Sequence, residues 1–316
     1  MTGFILRRVV QLVIVLAIVS VALFLLLRLL PGDPTTTILG TEATHEQREI
    51  LRAELGLDQP LIVQFGQWIL SVFNGDLGES WITGEPVSAV MSDRLPVTVQ
   101  LGVMSLLGAL LIGVPAGVLA AVRRRSTLDT ALTGAGVFFL AIPNFFLGPL
   151  LVLLFALSLG WAPPSGFVNF TDDPIANLIH MVLPAVTVGS MVVAVVMRQA
   201  RGAMLDSLGG DYIRTAKATG LSRGRVVMVY ALRNALLPVI TVTGLQVGAL
   251  LSGTIVTETI FTLPGMGSLI VNSIFSRDLP VVQGAVLLIV VAVLLINLVT
   301  DLIYAWLDPR IVYDAA

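Results

Sequence analysis

An all-α integral membrane protein with six spanning helices is the fold class this sequence predicts. Three observations carry that reading. The 316 residues are 56% hydrophobic and 12% charged, with mean hydropathy +0.95, whereas a soluble domain carries about 25% charged residues. Six apolar stretches are each long enough to cross about 30 Å of hydrocarbon. Thirteen of the eighteen Lys and Arg fall in alternate connecting segments, which the positive-inside rule assigns to the cytoplasm.

Arg7 and Arg8 precede an uninterrupted apolar run from Val9 to Leu27. A signal peptide has a shorter apolar core and a small-residue cleavage site. Residues 1–30 therefore read as a cytoplasmic tail and a retained first span, with Arg28 at its outer interface. Residues 31–97 carry ten acidic and three basic residues and read as a folded extracytoplasmic segment. Within it the pattern predicts a short exposed helix from His45 to Leu55 and an amphipathic one from Leu61 to Phe73. Phe65, Trp68 and Phe73 would rest on the membrane surface.

The core, residues 98–306, holds the other five spans. Span two runs from about Val97 to Val122, with Gly113-x-x-x-Gly117 allowing close helix approach, and ends in Arg123-Arg124-Arg125. Span three runs from about Ala131 to Leu159; Pro143 and Pro149 free backbone carbonyls and bend it. Span four covers Leu178 to Met197 with Pro184. Span five covers Ala235 to Val256 with Pro238 and Gly244-x-x-x-Gly248. Span six covers Val281 to Trp306, and 307–316 is a cytoplasmic tail.

The stretch between spans four and five, within loop 198–234, is the most informative. Seven of the eighteen cations lie in it. Asp211 is placed to cap a helix from Tyr212 to about Thr219, Gly220 to stop it, and Ser222 to cap the next. Tyr212, Ile213, Ala216 and Leu221 share one side, with Arg214 and Lys217 on another. A basic loop can simply set topology. An apolar edge framed by cations also suits docking of a soluble partner.

The chemistry that is missing narrows the function. With no cysteine and only His45 and His180, thiol catalysis and a His-rich metal site are excluded. Lys217 is the sole lysine and is preceded by Thr215 and Ala216, so no G-x-x-x-x-G-K-[ST] phosphate loop exists. ATP, if used, binds another chain. Ion-coupled carriers keep ionisable groups near the bilayer midplane; here Glu258 sits near the outer end of span five and Asp301 toward the inner end of span six. Mid-span Asn144 and Gln246 suit interhelical hydrogen bonds or, with Thr254, a pathway lining. Two readings stay open: a gate driven by a separate motor, and a self-sufficient channel or carrier using Glu258 and Asp301.

The central stretch resembles the cytoplasmic loop of type I ATP-binding-cassette (ABC) importer permeases, E-A-A-x-x-x-G-x₉-I-x-L-P. Gly220 matches the glycine and Ala216 the second alanine. Arg214 and Thr215 replace the acid and first alanine, Tyr230 and Leu232 stand at the I and L positions, and Arg233 replaces the proline. Asp211 to Leu221 and Ala231 to Pro238 follow the form seen in dipeptide and oligopeptide permeases. So do Leu30-Pro31-Gly32-Asp33-Pro34, Gly75-Asp76-Leu77-Gly78, Arg94-Leu95-Pro96, Glu258-Thr259-Ile260-Phe261, Pro264-Gly265-Met266-Gly267, Arg277-Asp278 and Leu307-Asp308-Pro309-Arg310.

The resemblance implies the MetI-like permease fold and the first permease subunit of a peptide importer in the bacterial cytoplasmic membrane, multi-pass with both termini inside. Nickel, glutathione or haem importers of the same architecture are the alternatives in cargo. The implied partners are a second permease, two ABC ATPase domains that carry ATP and Mg, an extracytoplasmic substrate-binding lipoprotein, membrane lipid and the peptide. No nucleic acid, no catalytic residue and no cofactor in this chain are expected. The implied coupling surface is Asp211, Tyr212, Arg214, Thr215, Ala216, Lys217, Gly220, Leu221 and Arg225.

Overall fold

The computed structural model describes residues 2–29, 33–40 and 42–307 and is helical throughout, with one isolated bridge between Glu79 and Pro86. The helices are α1 (Thr2–Leu29), α2 (Pro34–Leu39), α3 (His45–Glu54), α4 (Leu61–Phe73), α5 (Val87–Val122), α6 (Thr127–Ala141), α7 (Asn144–Leu151), α8 (Pro174–Gly209), α9 (Asp211–Ala218), α10 (Arg223–Arg225), α11 (Leu232–Ile260), α12 (Met266–Phe275) and α13 (Leu279–Leu307). π-Helical turns follow α7 (Val152–Ser158) and α10 (Val226–Ala231). Among the described residues five helices are long and apolar enough to cross a membrane, and α6 with α7 and its π turn makes a sixth, bent segment. The Leu30-Pro31-Gly32 part of one motif, and residues 308–316 with the Asp308-Pro309-Arg310 part of another, lie outside the described residues.

Two compact units emerge, Met1–Pro96 with Pro264–Leu294, and Val97–Leu263 with Leu295–Ala316. In the first, α2 starts on Pro34 with Asp33 as its N-cap, accepting from the Thr35 N–H at 3.0 Å. Burial raises the Asp33 carboxyl, but the Thr35 hydrogen bonds and the Arg48 and Arg52 charges outweigh it and hold the group below its usual range. Thr44 and Gln47 form a reciprocal capping box for α3. Val87, Met91, Met266, Ile270, Val281 and Ala285 make the core of this unit. Beside it, Asp278 accepts from the Ser80 hydroxyl and from the Trp81 N–H, so the Arg277-Asp278 motif ties residues almost two hundred positions apart.

One expectation is corrected in this unit. Phe65 and Trp68 do not lie open on the membrane surface; they pack on Phe24 of α1 at centroid separations of 5.4 and 6.2 Å. Aromatic edge and stacking contacts within the protein win over interfacial exposure. Phe73 does stay open, as do Ile62 and Leu70. Helix α5 begins at Val87, within the 31–97 segment, and runs through Pro96, while the boundary between the compact units falls at Pro96–Val97.

In the second unit α8 is the central helix, started by Pro174 with Asp173 accepting from the Ile175 and Ala176 N–H groups. Glycine sets how near its neighbours come. A Cβ on Gly113 would fall 2.9 Å from the Val193 carbonyl oxygen, and one on Gly117 2.7 Å from Ala200 Cβ. The Gly113-x-x-x-Gly117 pattern on α5 therefore does what it predicts: it lets the α8 backbone approach. Gly244 on α11 is likewise closed over by the Thr300 side chain of α13.

Span three is not one continuous helix. Ile142 turns extended before Pro143, because a proline disfavours the α region for its predecessor, and the axis bends by 109° between the two halves. Pro149 then removes a donor inside α7, and the backbone continues as the π turn.

Candidate functional site

The basic stretch folds as α9, a turn, and α10 leading directly into the π turn and α11. Arg223–Ile260 is thus one 38-residue apolar rod, and its lower end is part of the loop. Helix α9 lies on the ends of three apolar helices. Ile213 (0% exposed) and Ala216 (5%) sit in a cluster with Val118 of α5, Met204 of α8, and Val226, Ala231 and Ala235 at the base of α11. The spacing of three puts both residues on one side of a short helix, which is why the sequence pattern found them.

That burial changes which residues face outward. Asp211, Tyr212, Arg214, Thr215 and Lys217 are exposed, as is Arg225 beyond the turn; Leu221 is half-buried, and Ala216 is turned inward as a foot of the helix. The apolar edge expected to dock a partner is therefore mostly used within the chain. The outward face is polar, with Tyr212 as its aromatic element.

Asp211 is not the N-cap. Gly210 holds that place in extended backbone, and Asp211 is the first helical residue, its carboxylate accepting from Arg214 at 3.1 Å. A carboxylate in the first turn still complements the helix dipole. Gly220 does stop α9, with φ +78° and its N–H donating to the Lys217 carbonyl at 3.1 Å. Nothing lies within 4 Å of a Cβ placed there. The requirement for glycine is therefore conformational and not steric. Ser222 occupies the cap position of α10 without a side-chain hydrogen bond.

A second constellation lies in the same unit and was not legible as a pair. Arg201 of α8 donates to both carboxylate oxygens of Asp129 on α6, Nε–Oδ1 2.7 Å and Nη2–Oδ2 2.9 Å. Asp129 also accepts from the Arg125 N–H at 3.0 Å, and Arg125 itself is left-handed at φ +61°. Arg223 donates to the Val122 carbonyl at 3.3 Å, at the end of α5. Arginines that read only as topological charge thus serve as helix-end caps and cross-ties.

The pathway candidates are scattered. Thr254 is 1% exposed and donates to the Leu251 carbonyl at 2.8 Å. Asn144 begins α7 after the bend and lies beside Gly253, while Gln246 is half-buried on α11. Glu258 is fully buried and accepts from the Thr98 hydroxyl at 2.7 Å. Among the described residues no cluster of three His, Cys, Asp or Glu could hold a metal ion.

The chain matches the family model described as binding-protein-dependent transport system inner membrane component over residues 113–313. It matches the N-terminal model of the same membrane components over residues 1–102. This chain belongs to that family. The permease is 42% identical over 314 residues to a putative peptide transport system permease protein of Brucella abortus, covering 99% of this chain and all of that protein. It is 40% identical over 335 residues to the dipeptide transport system permease protein DppB of Escherichia coli K12, covering 98% and 99% of the two.

A solved inward-facing conformation of the MetNI methionine ABC transporter is similar in fold. Its TM-score is 0.57 at 18% identity, over 69% of this permease and 96% of that chain. The expected MetI-like type I importer fold is therefore present, and the permease is a multi-pass inner-membrane component of a binding-protein-dependent transport system. Family membership also removes the reading as a self-sufficient carrier built on Glu258 and Asp301.

Proposed function

We propose that this permease forms half of the membrane pathway of an ATP-driven importer of dipeptides or oligopeptides, paired with a second permease and driven by two ABC ATPase domains. The single observation that carries the cargo is likeness along the full length of both chains to permeases named for peptide and dipeptide transport. An extracytoplasmic binding protein delivers the peptide. Both termini and the α9 loop lie on the cytoplasmic side, in accord with thirteen cations on that side.

In this reading the outward face of α9 (Asp211, Tyr212, Arg214, Thr215 and Lys217), together with the turn at Gly220, Leu221 and Arg225, seats on an ATPase. Ala216 and Ile213 hold the helix to α5, α8 and α11 from beneath. ATP and Mg reside on the ATPases. Closure of the motor moves α9, and the buried cluster under it passes the displacement to three spans at once. Asn144 and Gln246 are the pathway candidates with accessible side-chain surface; Thr254 reaches substrate only if α11 repacks.

The test is uptake of labelled di- and tripeptides into proteoliposomes holding the complete transporter, binding protein and ATP. Peptide accumulation that requires ATP and this chain supports the proposal. ATP-driven uptake of another cargo, with peptides neither transported nor competing, overturns the peptide assignment. Absence of any ATPase bound to the α9 face in the assembled complex overturns the coupling assignment.

A further inference from the structure

We infer that the π turn Val226–Ala231 is the joint of the coupling device: it rewinds as an α turn when α9 is displaced, and the seat on the cluster under α9 passes from Val226 to Val227. The inference rests on the reading of α9 as the ATPase seat.

The exposure pattern around the turn requires its wide winding. Val226, Ala231 and Ala235 are 1%, 0% and 2% exposed, and all three belong to the cluster under α9. Ala231 and Ala235 are four apart, as neighbours on one face of an α-helix are. Val226 and Ala231 are five apart, and an α-helix would set them roughly 140° from one another. The i→i+5 bonds of a π turn bring them to the same side. The backbone shows the change of winding. The Val226 N–H donates to the Ser222 carbonyl, four residues back, at 3.0 Å, whereas the Leu232 N–H donates to the Val227 carbonyl, five back. Met228, Val229 and Tyr230 face outward, 60%, 53% and 39% exposed. The turn therefore holds one residue more than an α turn between the two seats would.

The other winding is close at hand. Val227 carries the same side chain as Val226 and already packs, partly buried, against the same cluster. Wound as an α turn, the segment seats Val227, four residues before Ala231, where Val226 sits now. One valine replaces another, so apolar burial favours neither winding. Hydrogen bonding is loosened just above. Pro238 withdraws the N–H that the Asn234 carbonyl would take in an unbroken helix, and the Asn234 side chain donates to the Tyr230 carbonyl at 3.2 Å.

The rest of the device is short and stiff. Helix α9 joins α8 through Gly210 alone and packs on both α8 and the π turn, while α11 lies along α8 above it. A displacement of α9 against α8 is thus taken at the turn, where the rod slips by one residue, an advance of about 1.5 Å. The Arg223 bond to the Val122 carbonyl, 3.3 Å long, belongs to the present register and breaks with the slip.

The chain has no cysteine, so Val226→Cys and Val227→Cys each give it a single thiol. Each variant, in the complete transporter in nanodiscs, is to be treated with a water-soluble maleimide, without nucleotide and with ATP and vanadate, and the label read by mass on this chain. Without nucleotide the thiol at 227 should react about tenfold faster than the one at 226, and in the trapped state the order should reverse. A thiol at 226 that stays the slower in both states overturns the proposal.

Deletion of Val229 separates the joint from the packing. It leaves Val226 and Ala231 four apart, so an ordinary α turn keeps both in the cluster. The deleted chain should assemble with its ATPases, with its thermal midpoint unchanged or raised, and lose at least about tenfold in uptake per ATP hydrolysed. Wild-type uptake by the assembled variant overturns the proposal; where the variant does not assemble, the labelling order decides. An active, bound ATPase with no reversal of labelling removes the joint and leaves the coupling assignment standing. A complex with no ATPase on α9 removes both.

Discussion

Arg201 and Asp129 face each other as a two-pronged pair, with guanidinium nitrogens 2.7 and 2.9 Å from the two carboxylate oxygens. The pair joins the start of α6 to α8, at the point where Gly117 lets α5 meet α8. Three helix ends are therefore registered against one another beside the α9 cluster. Removing either partner strands the other charge in a half-covered site. Asp129→Asn and Arg201→Gln are each expected to lower the thermal midpoint of the purified complex. In a double-mutant cycle the combined change should cost less than the sum of the two. Additive losses would show that the pair has no coupling.

Gly220 separates conformational from steric demand. With open space around it, a side chain is opposed only by the left-handed backbone, at roughly 1–2 kcal/mol. Gly220→Asn should retain most ATP-driven uptake, since asparagine tolerates that region. Gly220→Val should lose about 5- to 30-fold of the correctly turned loop, read as uptake per ATP hydrolysed in proteoliposomes. Equal behaviour of the two variants would remove the backbone explanation.

The inner and outer faces of α9 should fail differently. Ile213→Ala opens a hole under the helix at roughly 2–5 kcal/mol and should lower the thermal midpoint and the yield of intact permease. Arg214→Glu or Lys217→Glu should leave both unchanged while weakening recovery of ATPase in affinity purification of the complex. If Arg214→Glu destabilises the permease alone, the outward face has a structural role instead.

The glycines of α5 and α6 divide by what a methyl group would meet. Gly117→Ala drives a Cβ to 2.7 Å from Ala200 Cβ, and such overpacking costs roughly 1–3 kcal/mol. Gly134→Ala on α6, with nothing within 4 Å of its Cβ, should be neutral or stabilising. Thermal scans by size-exclusion of the detergent-solubilised chain distinguish the two.

Much of this could be read from residue order, and the failures have physical causes. The apolar runs placed the spans, but run length marks hydrocarbon and not helix ends, so α5 and α8 extend ten or more residues past their apolar cores. Pro143 announced a bend in span three, yet only the extended backbone at Ile142 shows that it is a corner of 109°. Periodicity placed Ile213 and Ala216 on one side of α9. It could not say whether that side meets a partner or the protein's own spans, since both are apolar environments. Asp129 and Arg201, seventy-two residues apart, carry no local signal at all. Gly113 and Gly117 were legible because their spacing alone states the requirement.

The corner at Pro143 has a consequence for how this segment is held. Each arm is 15 residues long, about 22 Å of helix at 1.5 Å per residue, and hydrocarbon is about 30 Å thick. Neither arm is long enough to span hydrocarbon by itself. The bent segment therefore depends on Pro174–Gly209, against which both arms lie, for its place among the apolar helices.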